Sequence, residues 1–181
     1  MIFTETALKG SYIISLNPFS DDRGWFARTY CKKEFGTIGH DKEWVQMNHS
    51  FTKEKGTVRG MHFQHPPFSE IKMVRCVAGA VLDVIVDIRK ASPTFLQHVV
   101  AELSAANKQM MYIPEGFAHG FQTLTENTEL IYHHSEYYQP RVEGGLKYND
   151  PMLNIEWPLT VMNVSERDNS HPLLDGNFKG V

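Results

Sequence analysis

The sequence predicts an all-β protein, a closed or nearly closed antiparallel barrel in which helices are short. Apolar-rich runs separated by turn residues fill the chain, a pattern typical of sandwiches and barrels. One long run alternates in the manner of a strand, with residues of strong strand preference. The aromatic content of 12% is somewhat high, which favours strands or a stacking site.

The clearest strand is the run 80–89, Ala-Val-Leu-Asp-Val-Ile-Val-Asp-Ile-Arg. Its β-branched residues favour an extended chain, and helical spacing fits the run badly. Successive side chains of a strand point to opposite faces. One face therefore carries Leu82, Val84, Val86 and Ile88, and the other carries Val81, Asp83, Ile85 and Asp87.

The other predicted elements follow from the same alternation and punctuation. Turn residues occur at 21–24, 65–67, 91–93 and 114–116. Short helices are expected at Lys32 to Phe35 and after Ser165. The remaining predicted strands are Tyr12 to Leu16, Gly24 to Tyr30, Val58 to Phe63, Ile71 to Val77, His98 to Leu103, Gln109 to Ile113, Phe117 to Thr123 and Glu129 to Tyr137.

Length, charge and cysteine content exclude several classes of protein. The 181 residues suit one domain, residues 1–181, and a formal net charge of −3 argues against nucleic acid as a partner. Cys31 and Cys76 are too few for a disulfide framework. The N-terminus lacks the regions of a signal peptide, and no apolar run approaches the roughly 18 residues that cross a bilayer. We therefore expect a cytoplasmic protein that does not act at a membrane.

Two histidine-containing stretches carry the chemistry of the sequence. In the predicted strand Arg59-Gly-Met-His-Phe-Gln64, His62 and Gln64 share a face, and Gly60 either leaves room for a ligand or marks a bulge. The stretch Ile113-Pro-Glu-Gly-Phe-Ala-His119-Gly is similar to the second sequence element of cupins, which are jelly-roll barrels that hold metals or ligands. The resemblance implies a cupin-like jelly-roll barrel with short peripheral helices.

Three interpretations of these histidines compete. A metal site is disfavoured, because Gln64 stands where metal-binding cupins have a second histidine and an amide is a weak ligand for transition metals. Glu70 lies a little beyond the expected carboxylate position. A purely structural role would be favoured for a lone histidine. Acid–base catalysis is favoured, because Arg59, His62, Lys72 and His119 all fall on elements expected to face one mouth of the barrel.

The acid–base interpretation is supported by nine motifs that occur in the order found in one enzyme family. Together they resemble the dTDP-4-dehydrorhamnose 3,5-epimerase family, and the match extends over nearly the whole chain, to Pro172. The nine motifs are Asp22–Phe26, Gln46–Ser50, Arg59–Gln64, Lys72–Arg75, Leu82–Arg89, Ser92–Phe95, Pro114–Phe121, Asn149–Pro151 and Glu156–Pro158.

The resemblance implies a catalytic set for a cofactor-independent epimerase that needs no metal. The substrate would be a nucleoside diphosphate 4-keto-6-deoxyhexose, most simply the dTDP sugar, used in deoxysugar and surface polysaccharide biosynthesis. The C4 ketone acidifies the protons on C3 and C5. His62 is the implied base and Asp168 orients it, since a carboxylate on one ring nitrogen raises the basicity of the other. Tyr132 is the implied acid, and Lys72 is the cation beside O4.

The resemblance also implies the binding residues and the assembly. The family forms homodimers in which the N-terminal strand reaches the partner's site, so Arg23 and Phe26 are expected to serve the neighbouring subunit. Strand parity separately predicts that Asp83 accepts a hydrogen bond from His119. The implied substrate-binding residues are Arg23, Phe26, Arg28, Gln46, Asn48, Arg59, His119, Tyr138, Glu143 and Arg167.

Several positions depart from the pattern of the family. Arg28 stands where glutamate is usual, Met47 replaces an acidic residue, and Leu96 stands where glycine usually follows Ser-Pro-Thr-Phe. Arg28 and Met47 leave the nucleotide and the exact sugar open. His134 is unusual beside the implied acid, and the sequence is compatible with an inward or a solvent-facing side chain.

Three other functions remain compatible with the sequence. The first is an epimerase that inverts only C3 of another deoxysugar, because motif spacing does not distinguish inversion at C3 from inversion at C3 and C5. The second is a metal-dependent cupin enzyme, and the third is a noncatalytic sugar-binding module.

Overall fold

Thirteen strands dominate the computed structural model, which describes all 181 residues. Two α-helices, α1 (Lys32–Phe35) and α2 (Glu166–Ser170), and one 3₁₀ turn (Gly36–Ile38) are short, and no helix is long and apolar enough to cross a membrane. The strands are β1 Ile2–Glu5, β2 Tyr12–Ser15, β3 Phe19–Asp21, β4 Gly24–Phe26, β5 Gln46–Thr52, β6 Val58–Gln64, β7 Lys72–Ala78, β8 Ala80–Asp87, β9 His98–Ser104, β10 Gln109–Ile113, β11 Phe117–Thr123, β12 Thr128–His134 and β13 Glu143–Gly145.

Two antiparallel sheets pack against each other. The six-stranded sheet has the order β1-β2-β10-β7-β12-β5, and the five-stranded sheet has the order β13-β6-β11-β8-β9. From β5 onward the chain changes sheet after every strand except β8, which is followed in the same sheet by β9, and this alternation is that of a jelly roll. The predicted all-β, cupin-like jelly-roll barrel with short peripheral helices is confirmed. The strands β3 and β4 form a separate hairpin.

The buried apolar residues form three layers. The inner layer lies between the sheets and takes residues from both of them, including Val74, Ile85 and Leu130. A second layer packs the outer face of the five-stranded sheet against the C-terminal region, with Leu146 and Leu153 among its members. A third layer covers the outer face of the six-stranded sheet. Apolar packing therefore occurs between the sheets and also on the outer face of each sheet.

Strand β8 shows the predicted alternation. Val81 and Ile85 belong to the inner layer, whereas Val84 and Val86, together with Ile88 directly after the strand, belong to the layer outside the five-stranded sheet. Both faces are buried because the C-terminal region covers the outer one. This double burial explains why the strand reads as a nearly continuous apolar run.

Four strands lie outside the predicted set, namely β1, β3, β5 and β13. In β5 the side chains at Gln46, Asn48 and Ser50 line a polar cavity, so alternation gives no apolar inner face. The predicted strand from Gly24 ends at Phe26, and the one from Glu129 ends at His134. Both predicted helices are confirmed.

Candidate active site

One end of the barrel interior is an open polar cavity. Its volume is about 280 Å³, near the lower limit for a small-molecule site. The two sheets supply opposite walls, β6 and β11 on one side and β5, β7 and β12 on the other. The lining residues are Gln46, Asn48, Ser50, Arg59, His62, Phe63, Gln64, Glu70, Lys72, His119, Phe121, Tyr132, His134, Tyr138 and Glu143.

A β-bulge in β6 brings Arg59 and His62 to the same cavity. Residues three apart on a regular strand point to opposite faces, but the pairing of β6 with β11 slips by one residue at this point. Gly60 has φ of +117°, and a Cβ there would lie 2.5 Å from the Cα atom of Gly120. Of the two interpretations of this glycine, the bulge is the one observed.

His62 and Asp168 form a hydrogen-bonded pair at the cavity wall. The Nε2 atom of His62 lies 2.8 Å from Oδ1 of Asp168, whose other oxygen accepts the backbone N–H of Gly60 at 3.0 Å. Burial alone would raise the pKa of Asp168, which is 2% exposed, but these hydrogen bonds outweigh burial and hold the pKa well below its usual value. A carboxylate at Nε2 leaves Nδ1 of His62 as the nitrogen that can accept a proton.

Tyr132 reaches the cavity from the opposite sheet. Its hydroxyl oxygen lies 3.0 Å from Oγ of Ser50, and its ring meets the His119 ring edge-on at 6.4 Å between centroids. Burial raises the pKa of Tyr132 to about 12. The phenol is therefore neutral near pH 7 and can donate a proton into the cavity.

Lys72 is buried at the start of β7 and lies beside two other ionisable side chains. Its Nζ atom is 3.0 Å from Oε1 of Glu70, and Oε2 of Glu70 is 2.7 Å from Nδ1 of His134. Burial alone would raise the pKa of Glu70, but the hydrogen bond from His134 and the charge of Lys72 outweigh it and lower the pKa. Glu70 therefore carries a negative charge inside the cavity.

His119 pairs with Asp83 as strand parity predicted. The Nε2 atom of His119 lies 2.7 Å from Oδ1 of Asp83, which is fully buried. His119 is also the cross-strand neighbour of His62 on β6. The deep end of the cavity thus presents two imidazoles side by side, each held by its own carboxylate.

The predicted binding residues at the mouth contact one another. The hydroxyl of Tyr138 donates to Oε2 of Glu143 at 2.9 Å, and Nη1 of Arg167 donates to the same oxygen at 2.8 Å. Another nitrogen of Arg167 is 2.9 Å from Nε2 of His62. The amide of Gln46 donates to Asn48 at 3.2 Å.

Four predicted binding residues, Arg23, Phe26, Arg28 and Arg167, do not line the cavity of their own chain, and Arg167 lines an adjoining pocket together with His62 and Asp168. Arg23 is exposed and pairs with Asp21 at 2.5 Å, whereas Arg28 pairs with Glu34 at 3.0 Å. Phe26 is 75% exposed on the β3–β4 hairpin. Within one chain, the substitution at Arg28 therefore leaves the cavity unchanged.

Two other residues that depart from the family pattern, Met47 and Leu96, lie away from the cavity. Met47 is 64% exposed and does not line the cavity, because its neighbours Gln46 and Asn48 take the inward positions of β5. Leu96 has φ of +63°, a conformation in which glycine is normally favoured, and it packs beside the outer layer of the five-stranded sheet. Neither residue reaches the candidate site.

Six cavity residues were not among the predicted site residues, namely Ser50, Phe63, Gln64, Glu70, Phe121 and His134. Strand parity carried a signal for two of them, because Ser50 is two residues from Asn48 and His134 is two from Tyr132. Glu70 precedes β7 and gave no strand signal.

Gln64 does not face an assembled metal site. Its amide nitrogen donates to the carbonyls of Phe68 and Tyr137, and its oxygen accepts the N–H of Gln139. No group of three or more histidine, cysteine, aspartate or glutamate side chains is arranged to hold a metal ion.

Comparison with known proteins identifies the family. Residues 5–176 match the family model described as dTDP-4-dehydrorhamnose 3,5-epimerase. A dTDP-4-dehydrorhamnose 3,5-epimerase of Salmonella typhimurium is 46% identical over 177 residues, which cover 97% of this chain and 96% of that protein.

Solved structures agree with the sequence comparison. A dTDP-6-deoxy-D-glucose-3,5-epimerase of Legionella pneumophila, in complex with dTDP-4-keto-L-rhamnose, has a TM-score of 0.90 at 38% identity and covers 95% of this chain and 92% of its own. A 3'-monoepimerase of Streptomyces bikiniensis, in complex with dTDP-quinovose, has a TM-score of 0.87 at 31% identity, with coverage of 93% and 85%. The chain belongs to the dTDP-4-dehydrorhamnose 3,5-epimerase family.

Proposed function

We propose that this protein epimerises a dTDP-linked 4-keto-6-deoxyhexose at C3 and C5. The carrying observation is that His62 and Tyr132 reach one cavity from opposite sheets, with Lys72 beside them. Inversion of a carbon centre requires proton removal from one face and proton return to the other. The complexes of the relatives with dTDP-4-keto-L-rhamnose and dTDP-quinovose support a nucleotide-sugar substrate.

His62 removes the proton from the carbon next to the C4 ketone. The Asp168 carboxylate holds Nε2 and leaves Nδ1 to act as the base. Such general base assistance contributes typically about 10²–10⁴-fold to the rate. The negative charge then moves to O4, where the ammonium of Lys72 stabilises it, an interaction worth about 2.7–4 kcal/mol for one well-placed donor. Tyr132 returns a proton to the other face.

The nucleotide lies at the mouth of the cavity. A volume of about 280 Å³ accommodates the sugar, so the diphosphate and the base extend outward. Arg59 provides a planar, charged donor for phosphate oxygens. Tyr138 is exposed at the mouth and offers a face for base stacking. Gln46, Asn48 and Glu143 complete this polar rim.

The working form is a homodimer in which the β3–β4 hairpin reaches the neighbouring subunit's cavity. Phe19, Trp25 and Phe26 are large apolar residues that the hairpin exposes to solvent. Clustered apolar exposure of this kind is typical of an interaction surface. Arg23 and Phe26 then act at the partner's site, in agreement with their distance from the cavity of their own chain.

Solvent isotope exchange tests the proposed chemistry. The protein is incubated with dTDP-4-keto-6-deoxyglucose in deuterated water, and the sugar is analysed by mass spectrometry and NMR. Deuterium at both C3 and C5 is the expected result. His62→Ala should abolish exchange while it retains dTDP binding. Absence of exchange with dTDP, UDP, GDP and CDP substrates would contradict the proposal.

Inversion at C3 alone is the second candidate. The similarity to the 3'-monoepimerase of Streptomyces bikiniensis favours it, because that relative has the same fold at 31% identity. The same experiment separates the two candidates, since a C3-only enzyme incorporates a single deuterium.

A further inference from the structure

We propose that Glu70 and His134 are positioning residues of the epimerase, which fix the Lys72 ammonium and the Asn48 amide inside the cavity. The inference rests on the proposed function and extends it to two residues that the family resemblance does not include. Both side chains line the cavity, and neither is expected to react with the sugar itself.

Glu70 lies between Lys72 and His134 and contacts both of them. The residue's side chain is only 9% exposed, and its two oxygens have different partners, Lys72 at 3.0 Å and His134 at 2.7 Å. A buried carboxylate is costly unless it is paired and hydrogen-bonded, so this arrangement is held firmly. A third histidine–carboxylate pair thus stands in the cavity wall, beside those of His62 and His119.

The hydrogen bonds around His134 have one consistent direction. An anionic Glu70 only accepts, so Nδ1 of His134 must donate to it. In the neutral imidazole Nε2 is then an acceptor, and it lies 3.3 Å from Nδ2 of Asn48. This fixes the Asn48 amide with its nitrogen toward His134.

The series of hydrogen bonds continues in the same donor-to-acceptor direction from Asn48 to the mouth of the cavity. The oxygen of Asn48 accepts from Gln46 at 3.2 Å, and the oxygen of Gln46 accepts the backbone N–H of Tyr138 at 3.2 Å. Every donor in this series of hydrogen bonds meets an acceptor. If Nε2 of His134 became a donor, it would face the Asn48 amide nitrogen, which is also a donor, and the groups that face the substrate would be mismatched. His134 therefore acts on substrate binding through Asn48 and Gln46.

Glu70 acts mainly on Lys72. A lysine side chain is a flexible stem, and its ammonium carries three donor positions. Glu70 takes one of them at 3.0 Å, and the carbonyl of His62 lies 3.5 Å away in a second direction. These two contacts leave one of the three N–H donors of the ammonium free for the developing oxyanion. Glu70 thereby affects turnover more than affinity.

A matched control lies on the outer face of the same sheet. His49 and Glu129 form a histidine–glutamate pair at 2.8 Å on β5 and β12, but both side chains are exposed and neither lines the cavity. Exposed pairs contribute little to stability. Glu129→Gln should therefore leave both kcat and KM as in the wild type.

The test is a kinetic comparison of Glu70→Gln, His134→Gln and Glu129→Gln with the wild type, using dTDP-4-keto-6-deoxyglucose as the substrate. Loss of a hydrogen bond to a charged group corresponds to about 10–100-fold, and Glu70→Gln should lower kcat by that amount with a smaller change in KM. His134→Gln should raise KM about tenfold and weaken dTDP-sugar binding more than it lowers kcat.

A double-mutant cycle shows whether Glu70 acts through Lys72. In the Lys72→Met background, adding Glu70→Gln should lower kcat by no more than about twofold, because the group that it positions is already gone. Independent, multiplicative losses would overturn the inference, and so would wild-type kinetics for both Glu70→Gln and His134→Gln. If Glu70→Gln fails to fold, the KM of His134→Gln decides alone. Inactive wild-type protein would instead contradict the proposed function.

Discussion

The side chain of Asp168 combines a structural and a catalytic task. The carboxylate accepts hydrogen bonds from His62 and from the backbone N–H of Gly60. The backbone N–H of Asp168 donates to the hydroxyl of Ser165 at 3.0 Å, and Ser165 is the N-cap of α2. The carboxylate stays ionised although it is buried, because these donors outweigh desolvation. One side chain therefore ties the C-terminal region to the strand that carries the proposed base.

Replacement of this carboxylate should separate its two tasks. Asp168→Asn retains the size of the side chain but no longer fixes the tautomer of His62, so we expect kcat to fall by about 10²–10⁴-fold. Because the folded-state pKa of Asp168 is lowered, its stabilising contribution is complete above pH of about 4 and is lost as the pH falls further. Urea unfolding at pH 3 and pH 7 should show a smaller pH dependence in the variant. An unchanged kcat would remove Asp168 from the mechanism.

The phenol of Tyr132 offers a cleaner test of the two-sided mechanism. Tyr132→Phe removes the proton donor and retains the ring, so inversion should slow by about 10²–10⁴-fold. Exchange of the proton that His62 removes and returns should continue at a measurable rate. NMR in deuterated water should therefore show deuterium with retained configuration. Loss of exchange and inversion in equal measure would argue that Tyr132 has another role.

Strand parity determines which site residues sequence reasoning can find. The contact of Asp83 with His119 was predictable because both lie on strands whose inward faces are defined by apolar neighbours. Strand parity placed His134 on the face of Tyr132, but the sequence was also compatible with a solvent-facing side chain, and the structure shows it in the cavity. Glu70 lies before the predicted strand, and its contact with His134, 64 residues away in the sequence, is seen only in the three-dimensional structure.

At the scale of elements, the turn after β8 is organised by one buried carboxylate. Asp87 accepts from the side chains of Arg89 at 2.7 Å, Ser92 at 2.6 Å and Thr94 at 2.6 Å. Burial alone would raise the pKa of Asp87, but these donors lower it to about 2. The Ser-Pro-Thr-Phe motif is thus explained by the bonds that its hydroxyls make, apart from any catalytic role.

The free energy of unfolding at acidic pH should depend on the hydrogen bonds of Asp87 in this turn. The folded-state pKa of about 2 lies below the usual value, so Asp87 contributes stability that is complete above pH of about 4 and disappears as the pH approaches 2. The lowered pKa corresponds to about 2 kcal/mol. Asp87→Asn should lose about this amount at pH 7 and much less at pH 2, as measured by denaturant unfolding. An equal loss at both values would contradict the assignment.

Strands with an apolar face were predictable, whereas β5, whose inward residues line the cavity, was not. The strand β8 was recognised on both faces, whereas β5 was missed because its inward residues are amides and hydroxyls. The outward residues of β5, including Met47 and Phe51, are exposed, so the usual relation between apolarity and burial is reversed there. The polar lining of the cavity therefore removes from β5 the apolar alternation by which a strand is recognised in a sequence.

At the scale of the molecule, the most exposed apolar residues lie on the β3–β4 hairpin. Phe19 is 71% exposed, and the neighbouring hairpin residues Trp25 and Phe26 are also exposed. The hairpin forms no part of either large sheet. Within the chain, Lys108 lies over the Trp25 ring at 5.1 Å, but Phe19 and Phe26 are the two most exposed of the large apolar side chains. Their exposure supports the proposed contact with a second subunit.

Assembly and activity should therefore be lost together when the hairpin becomes polar. Phe19→Asp combined with Trp25→Asp places charges on the proposed contact, and we expect a dimer to become a monomer in sedimentation or light scattering. The monomer should show a raised KM, because Arg23 and Phe26 no longer reach the partner's cavity. Thermal unfolding controls for loss of the fold. A fully active monomer would contradict the shared site.

The close approach of Gly60 and Gly120 has a consequence for how this barrel can diversify. At that point β6 and β11 touch main chain to main chain, since a methyl group on Gly60 would also come within 2.7 Å of the His119 carbonyl oxygen. The distance between the imidazoles of His62 and His119 is therefore set by the main chains of β6 and β11, because no side chain lies between these strands at Gly60 and Gly120. Selection for bulkier or differently decorated hexoses would have to remodel the opposite wall and the rim.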